Sequence, residues 1–205
     1  PILQKIKEKF AFPLFVKPAN GGSSIGISKV KTEQEIESAI LEASRFDRKI
    51  IVEQGIEARE LECGILGNEK PQASVVGEII PKREFYDVVA KYIENSTQTP
   101  IPADLDENTT RLIQKIAVEA FLAIDCAGFA RVDFLMEKSS KKVYVNEINT
   151  IPGFTSISMY PKMWEASGVS YQELITKLIE LAIERFEQEK IEVNKNTVSD
   201  EKEKQ

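Results

Sequence analysis

Two neighbouring segments, Phe129-Ala-Arg-Val-Asp-Phe-Leu-Met and Lys142-Val-Tyr-Val-Asn-Glu-Ile-Asn, limit what this chain can become more than any other feature. Both read as strands, and the polar run Glu137 to Lys141 between them is short enough to fold back as a hairpin. A turn centred on Ser140 predicts Asp133 opposite Glu147 and Arg131 opposite Asn149, and the strand period puts all of these side chains on one face. Carboxylates directly opposed, with Cβ atoms about 5 Å apart, destabilise a sheet unless something positive lies between them. A divalent cation meets that need. Hard oxygen donors without His or Cys suit Mg²⁺, or Mn²⁺, with water and nucleotide phosphates completing the shell. Arg131 neutralising both acids as a structural ion pair meets the need equally well, and spacing does not choose between the two.

At 205 residues with 42% hydrophobic content the chain can bury a core in one or two domains. It contains no run of roughly 18 apolar residues of the kind that crosses a membrane. The net charge of −6 argues against nucleic-acid and anionic-membrane partners, while leaving room for a local cationic pocket for a phosphorylated small molecule. Histidine is absent, which excludes Ser-His and Cys-His nucleophiles and His-rich zinc sites within this chain. Catalysis must rest on carboxylates, Lys, Arg or a hard metal. Cys63 and Cys126 stand far apart and outside any CxxC spacing, so they read as reduced thiols of a cytoplasmic protein. The chain begins at Pro1, which suggests a piece of a longer protein.

Leu14-Phe15-Val16 reads as a short strand ending at Lys17-Pro18, followed by the loop Asn20 to Gly26 and a strand at Ile27 to Val30. Thr32 with Glu35 forms a capping box for a helix reaching Phe46, and strands are expected at Lys49 to Glu53, Arg59 to Leu66 and Ala73 to Ile80. Pro81 to Pro102 lacks periodicity and reads as a long functional loop. Glu107 to Ile124 is amphipathic, Ser170 with Glu173 caps a last helix to about Phe186, and Glu187 to Gln205 reads as a charged, frayed tail.

The glycine loop can cradle phosphate through backbone N–H groups, but it fits neither GxxxxGK[ST] nor GxGxxG, and a mobile hairpin explains it as well. Lys17 closing an apolar strand is more telling, because a lysine there needs an anionic partner and phosphate is a good one. Gly153 permits a tight turn that can offer backbone N–H groups to an oxyanion.

Taken in this order, VKPANGGSSIG, EQGIEARE, AKY, GFARVDF and NEINTIPGFTSISMYP resemble the ATP-grasp ligases, most closely the D-alanine:D-alanine ligase family, over nearly everything from Phe12 to Phe186. The resemblance implies an α+β ATP-grasp fold, two mainly antiparallel sheets with helices clamping a nucleotide. It also implies a cytoplasmic enzyme that uses ATP and Mg²⁺ to join D-alanine to D-alanine for peptidoglycan precursors. Carried onto this chain, Lys17 contacts ATP phosphates, Glu53, Gln54 and Ile56 form the hinge that reads adenine, Glu60 holds ribose hydroxyls, and Lys91 approaches the γ-phosphate. Asp133, Glu147 and Asn149 match the family's magnesium ligands. Arg131 stabilises charge on the transferring groups, Tyr92 closes over substrate near Ser23, and Gly153 and Ser158, with Met159 beside them, shape the D-alanine pocket. Tyr92 and Ser158-Met159 favour D-alanine over D-lactate or D-serine as second substrate.

Family members carry a further N-terminal domain. The resemblance therefore implies a shortened central subdomain at 1–54, a C-terminal catalytic domain at 55–189 and a charged flexible tail at 190–205. On that basis the piece is expected to be inactive alone and the complete protein a homodimer. Another ATP-grasp carboxylate–amine ligase, or a nucleotide-binding module without chemistry, remain alternatives.

Overall fold

The computed structural model describes residues 2–80 and 98–202, with side chains over 3–80 and 98–191. These residues form two compact units, 2–58 with 137–139, and 59–80 with 98–136 and 140–202.

The first unit begins with helix α1, Ile2–Lys9, which the sequence reading did not anticipate. Strands β1, Leu14–Pro18, β2, Ser28–Val30, and β3, Ile50–Gln54, form an antiparallel sheet in the order β2-β1-β3. Alternation along β1 buries Leu14 and Val16, which pack with Ile6 of α1, Val30 and the Ile36, Ala39 and Ala43 face of helix α2, Ile36–Ser44. Each of the Leu, Val and Ile side chains among them contributes about 1.5–3 kcal/mol on burial. Phe15 and Lys17 are thereby sent to the opposite face of the strand. Glu35 closes the expected capping box, accepting the backbone N–H groups of Lys31 and Thr32. The helix stops short of Phe46, whose ring instead lies against Gly26, where a Cβ would fall 2.5 Å from the Phe46 Cδ2.

The second unit is built on a sheet of order β5-β4-β6-β7, with β4 Ala58–Gly67, β5 Gln72–Ile79, β6 Gly128–Glu137 and β7 Val143–Asn149. One face packs on helix α3, Glu107–Ala123: Leu61, Cys63, Ile65, Val76, Ala130, Val132, Phe134 and Met136 meet Ile113, Ala117 and Phe121. Asp106 caps α3 by accepting the Thr109 N–H at 2.9 Å.

The other face is divided. Part of it lies under helix α4, Met159–Ala166, and the start of helix α5, Tyr171–Lys202, where Leu66, Tyr160, Trp164 and Leu174 form a second core. Gly64 and Gly77 let α4 approach, since a Cβ on Gly64 would lie 3.0 Å from Trp164 Nε1 and one on Gly77 would lie 2.6 Å from Met159 Cε. The Tyr160 hydroxyl donates to the Ile65 carbonyl at 2.9 Å. On the rest of that face, alternation along β4, β6 and β7 presents polar side chains.

Helix α4 was not among the elements expected from the sequence, and it contains Pro161. That proline sits in the first turn, where its missing N–H has no intrahelical acceptor to lose. Where a charged tail is expected from Glu187, helical backbone continues to Lys202, with an Arg185–Glu189 pair at 2.9 Å lending support at helical spacing.

Candidate functional site

The polar face of the second sheet arises from strand register. Arg131 lies opposite Asn149 and Asp133 opposite Glu147, the pairing that the hairpin spacing predicts. Beyond Asp133 the register shifts, so that Phe134 meets Val145 and Asn146 is an extra residue of β7. Unbroken alternation would put Val143 and Val145 on the same face as Glu147 and Asn149. The bulge returns Val143 to the core beside Ile148, while Glu147 and Asn149 keep the polar face.

Arg131 is only 8% exposed. Its guanidinium grips Asp133 with a fork, Nε donating to Oδ1 and Nη2 to Oδ2, each at 2.7 Å. Glu62 reaches the same group from β4, its Oε2 3.3 Å from Arg131 Nε. Burial pulls the Arg131 pKa down, but the hydrogen bond to Asp133 and the charges of Asp133, Glu62 and Glu147 outweigh it and hold the group above its ordinary value. Asn149 Nδ2 donates to Asp133 Oδ2 at 3.0 Å and to Glu147 Oε1 at 3.3 Å.

Among the described residues, Asp133, Glu62 and Glu147 are the carboxylates whose charges act on the Arg131 guanidinium. The structural ion pair foreseen as an alternative is therefore present between Arg131 and Asp133, with Glu62 beside it. Among the described residues no three His, Cys, Asp or Glu side chains gather as a metal cage. The donors here are the Asp133 and Glu147 carboxylates and the Asn149 amide. That set suits Mg²⁺, which takes few protein oxygens and fills its shell with water and phosphate. To join it, Asn149 must turn its amide so that the oxygen, and not Nδ2, faces the carboxylates.

Glu60 lies two residues from Glu62 on the same strand, paired with Ile79 of β5, and is half-buried. Past the end of β7, Ser158 Oγ accepts the Thr155 N–H at 3.0 Å and lies 2.9 Å from the Thr155 hydroxyl. A Cβ on Gly153 would sit 3.0 Å from that Ser158 Oγ, so the expected pocket residues Gly153 and Ser158 do come together. Met159 instead turns inward and is 7% exposed, with its methyl over Gly77.

In the first unit, Lys17 Nζ pairs with Glu53 Oε2 at 2.8 Å, joining two residues expected at the nucleotide through a contact the sequence reading did not foresee. Gln54 ties β3 to the preceding chain, accepting the Ala11 N–H at 2.8 Å and donating to the Gly55 carbonyl at 3.1 Å. Ile56 follows, half-buried. Ser23 and Ser24 adopt φ of 55° and 58°, left-handed values that L-residues occupy at a cost of roughly 1–2 kcal/mol each. Lys91 and Tyr92 lie outside the described residues. Glu62 is the residue that sequence reasoning missed; its signal was its place two positions after Glu60 in a strand, which predicts a shared face.

A family model described as D-ala D-ala ligase C-terminus matches residues 1–180. The D-alanine–D-alanine ligase of Acetivibrio thermocellus is 58% identical over 185 residues, covering 90% of this chain and 49% of that protein. That of Solibacter usitatus is 56% identical over 183 residues, covering 89% of this chain and 56% of that protein. Among solved structures, the D-alanine-D-alanine ligase from Coxiella burnetii superposes with a TM-score of 0.84 at 44% identity, covering 97% of this chain and 52% of its own. The VanG D-Ala:D-Ser ligase from Enterococcus faecalis gives 0.78 at 39% identity, covering 87% of this chain and 52% of its own. The chain spans about half the length of the curated relatives it matches. It carries the α+β ATP-grasp fold of these ligases, and it belongs to the D-ala D-ala ligase C-terminus family.

Proposed function

We propose that the complete protein joins two D-alanine molecules into D-alanyl-D-alanine, with ATP converted to ADP and phosphate, and that this chain supplies its metal- and nucleotide-binding portion. The reading includes a cytoplasmic homodimer feeding cell-wall synthesis. The observation that carries it is the cluster of Asp133, Glu147 and Asn149 beside a buried Arg131, an oxygen-rich face with two carboxylates on opposed strand positions.

In this reading Asp133, Glu147 and Asn149 hold Mg²⁺, which when bound offsets phosphate charge. Lys17 shares its ammonium between Glu53 and the nucleotide phosphates. Gln54 and Ile56 border adenine, Glu60 takes ribose hydroxyls, and Lys91 meets the γ-phosphate. The carboxylate of the first D-alanine attacks that phosphate to give an acyl phosphate, and the amine of the second attacks the resulting carbonyl. Arg131, a permanent cation, steadies negative charge in both steps, and the Gly153 N–H serves the oxyanion. Ser158, Ser23 and Tyr92 shape and cover the amino-acid site. No side-chain nucleophile is needed, which accords with the absence of histidine.

The VanG relative is named for D-serine, so acceptor choice belongs in the test. The complete protein should release ADP and phosphate with D-alanine, much less with D-serine and not with L-alanine. Equal turnover with L-alanine would remove the proposal.

A further inference from the structure

We propose that Glu62 is a positioning residue of this site, the second acid to which Arg131 turns when Asp133 gives its oxygens to a cation. The inference rests on the cation reading above and adds a residue that reading does not need. Glu62 is 9% exposed and faces Gly77 across β4 and β5, the glycine over which the Met159 methyl lies. Burying a carboxylate is costly without a cation beside it, and Arg131, itself 8% exposed, is 3.3 Å away.

The donor arrangement gives the pair its direction. The single Nε–H of Arg131 points to Asp133 at 2.7 Å, and Glu62 Oε2 lies 3.3 Å from the same nitrogen as an ion pair. Asp133 has both oxygens engaged by the Arg131 fork, and one of them also takes the Asn149 amide. A cation at Asp133 draws on the same oxygens as the Arg131 fork and so weakens that grip. Were Asp133 the sole acid in reach, loosening it would strand a buried guanidinium. Glu62 removes that obstacle, because a rotation of the guanidinium plane exchanges one carboxylate for the other while Arg131 stays buried and oriented.

Titration calorimetry of Mn²⁺ into the 205-residue chain separates this idea from the reading beneath it. Wild type is expected to bind, and Glu62→Gln to bind about tenfold or more weakly. Glu62→Asp keeps the charge but shortens the reach, so it should lose affinity as Glu62→Gln does. Wild-type affinity in Glu62→Asp would mean that charge alone matters, and it would overturn the proposal, as would unchanged affinity in Glu62→Gln. Absence of Mn²⁺ binding in wild type would remove the cation reading and this inference together.

NMR of the Arg131 Nε–H gives an independent readout. In wild type, Mg²⁺ should move the resonance while it stays protected from exchange; in Glu62→Gln, Mg²⁺ should leave it exchanging freely. A resonance that does not move in wild type contradicts the exchange of partners. Circular dichroism melts establish that each variant is folded, and if Glu62→Gln is not, Glu62→Asp alone decides.

Discussion

Cys63 has no exposed surface within the core of the second unit, and burial pushes its thiol up from 9.0 to about 12. Below 9.0 the thiol is neutral whether the chain is folded or not, and between 9.0 and about 12 only the unfolded chain ionises. Stability therefore falls as pH rises through that window, by about 1.4 kcal/mol per unit from this group. Cys63→Ala lacks that slope, so the urea-stability gap between wild type and variant should narrow from about pH 8.5 to about pH 10.5. A constant gap would refute the burial account. Gly55 makes a different demand: its N–H donates to the Pro13 carbonyl at 2.8 Å, and a Cβ there would fall 2.6 Å from that same oxygen. Gly55→Ala should cost about 1–3 kcal/mol in urea unfolding, since backbone rather than a flexible side chain must yield. The sequence marks Gly55 as an interruption without showing what approaches it. Glu62 is hidden for a related reason: a glutamate in a strand reads the same whether it faces solvent or a buried guanidinium.

Among the elements, the β6–β7 hairpin was the most legible, because a short polar connection and the period of two fix which residues meet. The bulge at Asn146 was not, since the same spacing accepts one register throughout, and only the need to bury Val143 while leaving Glu147 and Asn149 on the polar face selects the shift. Deleting Asn146 should force a choice between packing Val143 on the core and keeping the acidic face. The expected result is loss of Mn²⁺ binding together with a melting temperature lower by about 2–4 °C per kcal/mol lost. Retention of both would show that the bulge is incidental. The capping boxes were legible because Thr32 with Glu35 and Ser170 with Glu173 satisfy orphan N–H groups locally, as seen at both sites. Helix α4 was not legible, because its seat depends on Gly64 and Gly77, distant in sequence.

At the scale of the whole chain, a net charge of −6 coexists with a buried cation, Arg131, on which the charges of Asp133, Glu62 and Glu147 act. Among the described residues no helix is long and apolar enough to cross a membrane. Motif order along the chain revealed the fold family, whereas the Lys17–Glu53 and Glu62–Arg131 pairs, set by side-chain reach across strands, emerged only from coordinates. The central claim is that Asp133 and Glu147 bind a divalent cation which a nucleotide shares. Calorimetric titration of ATP into the 205-residue chain, with and without Mg²⁺, tests it most directly. Binding should depend on Mg²⁺ in wild type and weaken about tenfold or more in Asp133→Asn and Glu147→Gln. ATP affinity that ignores both Mg²⁺ and these substitutions would contradict the account.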